Sequence, residues 1–390
     1  MNKTEIMRDM IVSPPIIFLA AWSMQVIGHT LLQRDFDKFS DHTWWLLAAA
    51  AFSFILGCAF VTFTYIGRRR PNRGITPSKL RGGKRAFWIL LTAYGIFGLA
   101  PIINILLDQG SISGARDAIV KGIESRNDSI VRSYYFSALL VVFAVYLVSQ
   151  ASHYSPGFLV IGFVAATVAA ISSSGRTLLL LLFTSTPVSL YLQNKIRKKT
   201  FFASFLVFLC FFLALAVLNG KGAFINDLYS QITWNLEVYV LNGLASFNHF
   251  VTNNHPSFDG NILVPNLLRR IFELEGDAIP LVLPFVETPF PGNVYTALYP
   301  WYHDGGALGL MVGFFLIGDF SQYFYHARHK SFKHTFYYSI SAYALIMTIF
   351  QDQYIQAYPL WMMAILSPFL ASALTPKMRK PSIIKAKTEE

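Results

Sequence analysis

Stretches of roughly 17–25 apolar residues recur from one end of this chain to the other, and each is long enough for one helix to cross a hydrocarbon core. Nothing else in the sequence restricts the fold as much. In lipid, a backbone has no water to bond, so a spanning segment must satisfy its own polar groups. The runs predict an all-α integral membrane protein with ten spanning helices, at about 11–32, 43–66, 86–107, 134–150, 157–173, 177–193, 201–219, 305–322, 335–350 and 358–374. The fifth, sixth and ninth are short for a full span and are expected to tilt or to be partly re-entrant. Composition agrees. Only 14% of the 390 residues are charged, against about a quarter in a soluble chain, and the mean hydropathy is +0.45.

The net charge of +11 suggests nucleic acid at first sight, but its distribution points to a membrane instead. With the N-terminus cytoplasmic, 22 of the 32 Lys and Arg fall in cytoplasmic segments, eight of them in 67–85. Sixteen of the 21 acidic residues fall outside. Retention of basic loops on the cytoplasmic side predicts N-in, C-in, and no nucleic-acid partner is expected. Moving the count by one helix would put the basic loops 194–200 and 323–334 on the wrong side. Cys58 and Cys210 both sit in apolar runs, so no disulfide framework is expected. Residues 1–10 are mixed in charge, and the run after them lacks a small-residue cleavage site, so the start reads as a first helix rather than a removed signal.

The chain is expected to be one polytopic membrane domain over 1–390, with a cytoplasmic tail at 376–390 and one large outer loop at 220–304. That loop is patterned. Phe224, Leu228, Ile232, Leu236, Val240 and Leu244 step by four, while Asn226, Ser230, Thr233 and Glu237 fall on another face, which predicts an amphipathic helix. A second helix is expected from Pro265, with Leu267, Leu268, Ile271 and Phe272 on one side, to a stop near Gly276. Residues 279–300 are too rich in proline for a continuous helix.

Arginines on the outer side run against the usual sorting, and Arg116, Arg126, Arg132, Arg176, Arg269 and Arg270 all read as outside. Arg176 stands out. It sits in the polar turn Ser172-Ser173-Ser174-Gly175-Arg176-Thr177 between two short apolar helices, where a charge needs a partner or a cavity. A guanidinium there suits a phosphate, as a fork of donors; the plainer alternative is a side chain that snorkels and pins the turn. Arg132 lies at the mouth of the fourth helix, in a loop where Arg116 and Arg126 are balanced by Asp117, Glu124 and Asp128. Arg269 and Arg270 are equally open to a functional role and to pairing with Glu273 and Glu275 on a surface helix. At the loop's end come Glu287, Gly292-Asn293-Val294-Tyr295-Thr296 and His303-Asp304-Gly305-Gly306, with Gly309 following. A His–carboxylate pair suits general-base work near neutral pH, and Asp304 is also a preferred N-cap for the helix behind it. Asp35-Phe36-Asp37 resembles a metal-holding Asp-x-Asp, but Arg34 and Lys38 flank it and favour a solvated loop. His326, His329 and His334 lie among Arg328 and Lys330, where a basic interfacial cluster is favoured over a metal site. No Walker loop, zinc-protease motif or nucleophile elbow is present.

Ser174-Gly175-Arg176-Thr177, Tyr239 to Phe247 with its Gly243 and Ala245, and Gly292 to Thr296 leading into Asp304-Gly305-Gly306 together resemble the O-antigen polymerase family. The arrangement of ten or so helices with one late outer loop resembles it as well. No arginine among Arg116, Arg126, Arg132, Arg269 and Arg270 is followed by ten residues and a glycine, a spacing found in some members, so those members' arginine roles do not transfer. His303 before a glycine-containing helix is similar to the related O-antigen ligases. The resemblance implies a GT-C-like glycosyltransferase in a bacterial inner membrane, with its site facing the periplasm. It implies undecaprenyl-pyrophosphate-linked oligosaccharides as substrates, membrane lipid around the chain, and a chain-length regulator as partner. It implies an inverting transfer that needs no metal or other cofactor, with Arg176, Arg132, Arg116 and Arg270 on the pyrophosphate and His303, Glu287 and Asp304 as catalytic groups. A ligase-like transferase and a lipid-linked oligosaccharide transporter or flippase are the alternatives; transporters of this size often carry internal repeats, and no repeat is visible here.

Overall fold

The structure is a computed structural model that describes residues 10–31, 36, 38–66, 82–125, 127–173, 176–218, 225, 227–253, 260–273, 283–288 and 291–374. It is built almost wholly of helix. In chain order these are α1 (Pro14–Leu31), α2 (Asp41–Ile66), α3 (Gly82–Gln109), α4 (Ile112–Glu124), α5 (Asp128–Val148), α6 (Pro156–Ser172), α7 (Arg176–Leu192), α8 (Lys198–Leu218), α9 (Leu228–Val240), α10 (Asn242–Asn253), α11 (Asn266–Ile271), α12 (Leu298–Ala327), α13 (Phe332–Met347) and α14 (Tyr358–Ala373). One short antiparallel hairpin, β1 (Val286–Glu287) with β2 (Pro291–Gly292), interrupts them. Among the described residues, α2, α3, α5 and α12 are long and apolar enough to cross a membrane by length and composition.

Two helices organise the core. Along α5, every residue from Leu140 to Val148 is buried, packed against α3, α6, α7 and α14. Burial on all sides is why α5 shows so little amphipathic pattern. The second organiser is α12, which lies along α2. A Cβ added at Gly57 would overlap the Phe315 carbonyl oxygen, and one at Gly318 would overlap that of Phe54. Missing side chains on both helices therefore set the close approach. Phe18 of α1 stacks on Phe54 at 4.0 Å and meets Phe314 edge-on, tying α1 to the same pair.

Three sequence expectations are revised. First, α12 begins at Leu298, earlier than the predicted 305, and is interrupted at Gly306, whose φ of 57° and ψ of −152° only glycine adopts readily. Second, the amphipathic helix does not continue to Leu244; it stops at Leu241, and Asn242 starts α10. The cause is tertiary. Gln25 of α1 donates to the Val240 carbonyl (2.9 Å), His29 bonds the Leu241 carbonyl (2.8 Å), and the Leu244 N–H turns to Leu241. Buried α10 then packs Gly243 against the Ile349 carbonyl. Third, α11 is a short helix with Pro265 as its N-cap, and the positive φ of Glu273 follows it closely.

Candidate functional site

The described polar groups converge where α12 begins. The Asp304 carboxylate bonds His303 Nδ1 at 2.7 Å, and it accepts the backbone N–H of Ile262 (2.9 Å) and of Leu263 (2.7 Å). Asp304 is thus no N-cap for its own helix; it caps a loop more than forty positions earlier, because the turn of chain around 260–264 brings two donors to it. Both side chains are largely withdrawn from solvent, 14% exposed for His303 and 9% for Asp304. With Nδ1 engaged by a carboxylate, any proton the imidazole exchanges with a substrate passes through Nε2.

The same loop holds a cation that the sequence leaves open between a surface pair with glutamates and a functional role. Arg269 is buried, 7% exposed, and its Nη2 donates to the Asn261 carbonyl at 2.5 Å. Asn261 directly precedes the pair that Asp304 binds, so one loop is held by a carboxylate on one side and a guanidinium on the other. No local signal marks Arg269 as buried, since its burial depends on loop closure.

Aromatic rings surround the imidazole. His303 lies 5.9 Å from the Phe250 ring and 5.5 Å from Tyr299, and Tyr299 stacks on Tyr295 at 4.6 Å. Tyr302 bonds His42 Nε2 through its hydroxyl at 3.0 Å. The Tyr295 hydroxyl donates to the Pro284 carbonyl and the Ala297 N–H to Thr348, fixing the approach to α12. Phe250, Tyr295 and Tyr299 are themselves buried in the core around α2 and α12, so they hold the imidazole in place from the protein side.

The other predicted residues lie on other elements or beyond description. Glu287 is exposed on the β1–β2 hairpin, whose next residue, Thr288, donates to Asn242 Oδ1. Arg132 is exposed, and its Nε donates to the Asp128 carbonyl one turn back, behind the Asn127 N-cap of α5. Arg176 starts α7, whose Leu178, Leu179, Leu181 and Leu182 belong to the core around α5, whereas Tyr299 and Trp301 beside His303 belong to the core around α2 and α12. The turn before Arg176 is tied to α3, Tyr94 bonding Ser172 at 2.7 Å. The side chains of Arg176, Arg116 and Arg270 lie outside the described residues, as do Arg126, Asp35 and Asp37 entirely. His326 is engaged by Thr62 (3.1 Å) and Gln322 (3.0 Å), and His334 by Ser331 (2.8 Å).

No family model matches the chain, and no solved structure matches it. An O-antigen polymerase from Shigella dysenteriae is 25% identical to it over 356 residues, covering 87% of this chain and 86% of that protein. The resemblance read from the motifs thus extends over most of the chain, and the family it supports is that of the O-antigen polymerases.

Proposed function

We propose that this protein is a membrane glycosyltransferase that polymerises undecaprenyl-pyrophosphate-linked oligosaccharide repeat units into O-antigen or a similar surface polysaccharide. Ten helices would cross the inner membrane of a bacterium, N-in and C-in, with the 220–304 loop and the start of α12 in the periplasm. The observation that carries this reading is the similarity to an O-antigen polymerase along nearly the whole of both chains.

In the reaction, a hydroxyl of the incoming repeat unit attacks the anomeric carbon of the growing glycan. A new C–O bond forms, the bond from that carbon to the pyrophosphate oxygen breaks, and the lipid pyrophosphate leaves with the electron pair. A single displacement inverts the anomeric centre. His303 accepts the hydroxyl proton at Nε2, with Asp304 holding the ring and stabilising the imidazolium. Glu287 is the second choice of base. Pyrophosphate is already a good leaving group, so the larger task is to place positive charge where negative charge develops. We assign this to Arg176 first, then Arg132, Arg116 and Arg270, which makes a metal unnecessary. A chain-length regulator would act on the polymer from outside this chain.

Reconstitution with a purified lipid-linked repeat unit tests the reading. A polymerase yields a ladder of glycans of rising length in the presence of EDTA. Movement of the lipid-linked sugar across the bilayer without new glycosidic bonds would show a transporter, and transfer of one finished glycan to a different acceptor a ligase.

A further inference from the structure

Arg269 and Asp304 hold opposite ends of one peptide group. Arg269 Nη2 donates to the carbonyl oxygen of Asn261 at 2.5 Å, and the N–H of the same Asn261–Ile262 amide donates to Asp304 Oδ1 at 2.9 Å. Oδ1 is also the oxygen that meets His303 Nδ1, at 2.7 Å, while Oδ2 takes the Leu263 N–H at 2.7 Å. A guanidinium, an amide, a carboxylate and an imidazole thus stand in one line of three hydrogen bonds. An amide whose carbonyl oxygen faces a cation is polarised along its resonance, which makes its N–H a stronger donor. Bonds in such a chain reinforce one another by about 10–30% each.

Local structure explains how the guanidinium comes to lie there. Pro265 caps α11, and one turn of that helix returns Arg269 to a carbonyl eight positions before it. The side chain is buried, and Nη2 is spent on backbone rather than turned outward. Among the described residues, the titratable and charged groups on the elements around the imidazole are Asp304, Tyr299 and Tyr302 of α12, His42 of α2 bonded to Tyr302, His249 next to Phe250 on α10, and Arg269. Of these, Arg269 is the permanent cation, so its pull on the amide does not vary with pH.

We infer that Arg269 is a positioning residue for the proposed transfer, acting on His303 through the Asn261–Ile262 amide and Asp304 without touching the substrate. It fixes the direction of the Asp304 carboxylate and draws negative charge from Oδ1. The ring is then held by Oδ1 in one orientation, and with less negative charge beside it stays free to take the proton of the acceptor hydroxyl. That the imidazole is the base rests on the polymerase reading; the coupling of Arg269 to it does not.

The test follows the imidazole itself, in the full chain in nanodiscs and without any glycosyl transfer. Diethyl pyrocarbonate acylates only the unprotonated ring, so the rate of His303 modification, read by mass spectrometry over a pH series, has a midpoint. His42 lies outside the line of bonds and serves as the reference. Losing the guanidinium leaves Oδ1 more negative and favours the protonated ring, so Arg269→Gln should move the His303 midpoint up by about half a pH unit, with that of His42 unmoved. Arg269→Lys keeps the charge on a stem that reaches less far and should fall between; an upward shift in this variant carries the comparison where Arg269→Gln does not fold, and an unmoved midpoint there overturns the inference. In ladder assays Arg269→Gln should lower kcat about tenfold at an unchanged KM for the lipid-linked unit. Modification sped equally at every pH would mean that Arg269 only keeps the loop shut, and would overturn the inference. A raised KM at unchanged kcat, the mark of an arginine on the pyrophosphate, would overturn it too. A shifted midpoint in a protein that makes no glycan ladder would sink the polymerase reading and leave the coupling standing; ladders with an unmoved midpoint would do the reverse.

Discussion

Asp304 shows how one residue's chemistry depends on chain far away in sequence. Its carboxylate meets His303 next to it and two backbone donors from a distant loop. Removing it leaves those buried donors unpaired, each at about 1–3 kcal/mol. Asp304→Ala should therefore lower thermal stability in detergent as well as activity. Asp304→Asn retains an acceptor and should lose mainly activity; equal melting temperatures for wild type and Asp304→Ala would show that the loop is not held this way. His303→Gln is expected to cut ladder formation by about 10²–10⁴-fold, the usual range for a lost general base, with unfolding little changed. Arg176→Ala should abolish ladders in protein that still inserts, and full activity in that variant would take Arg176 out of the site. At this scale the sequence marks His303 and Asp304 as a pair, because they are adjacent. It marks Arg269 only as one outer arginine among six, because its burial needs Asn261 folded back upon it.

Helices here are shaped by what their glycines permit. Gly306 turns α12 two residues after Asp304 in a backbone region close to forbidden for other residues, and beyond its chain neighbours nothing lies within 4 Å of where its Cβ would be. The cost of Gly306→Ala is thus conformational, about 1–3 kcal/mol, and a longer side chain should add little to it. Gly57→Ala and Gly318→Ala are different. Each would push a methyl into the carbonyl of the facing helix, and the cost should grow with side-chain size as α2 and α12 separate. A melting series over Ala, Val and Leu at Gly306 and at Gly57 distinguishes the two causes: a flat series at Gly57 would mean that the helices yield. Runs of apolar residues made the helices legible. The kink at Gly306 and the break at Leu241 were not, because one needs a backbone angle and the other needs side chains from α1.

Across the whole molecule, residues 348–356 act as the tie between elements. Thr348 takes the Trp22 indole and the Ala297 N–H, and Ile349 takes the Gln25 amide. Asp352, fully withdrawn from solvent, then accepts the N–H groups of Tyr354, Ile355 and Gln356. Burial raises its pKa above the usual carboxylate value, against those three donors, which lower it. A carboxyl that holds its proton more tightly when folded contributes most to stability below its unfolded pKa, about 3.9, and loses that contribution as pH rises through the raised folded value. The melting temperature of wild type relative to Asp352→Asn should therefore fall as pH rises across that window. A difference independent of pH would show that Asp352 folds with an ordinary affinity for its proton.

Length and continuity of the apolar runs determined by themselves that this chain is helical and built for lipid. The cause is local: a backbone away from water has to close its own hydrogen bonds. The sorting of Lys and Arg determined the orientation we propose, again from local counting. Tertiary structure decided what stands beside His303. A loop from 260 to 269 and an aromatic surround from α10 and α12 meet there. These contacts join residues tens to hundreds of positions apart, and no periodicity or motif encodes which of them close, because packing energy depends on the facing surface as much as on the residue itself.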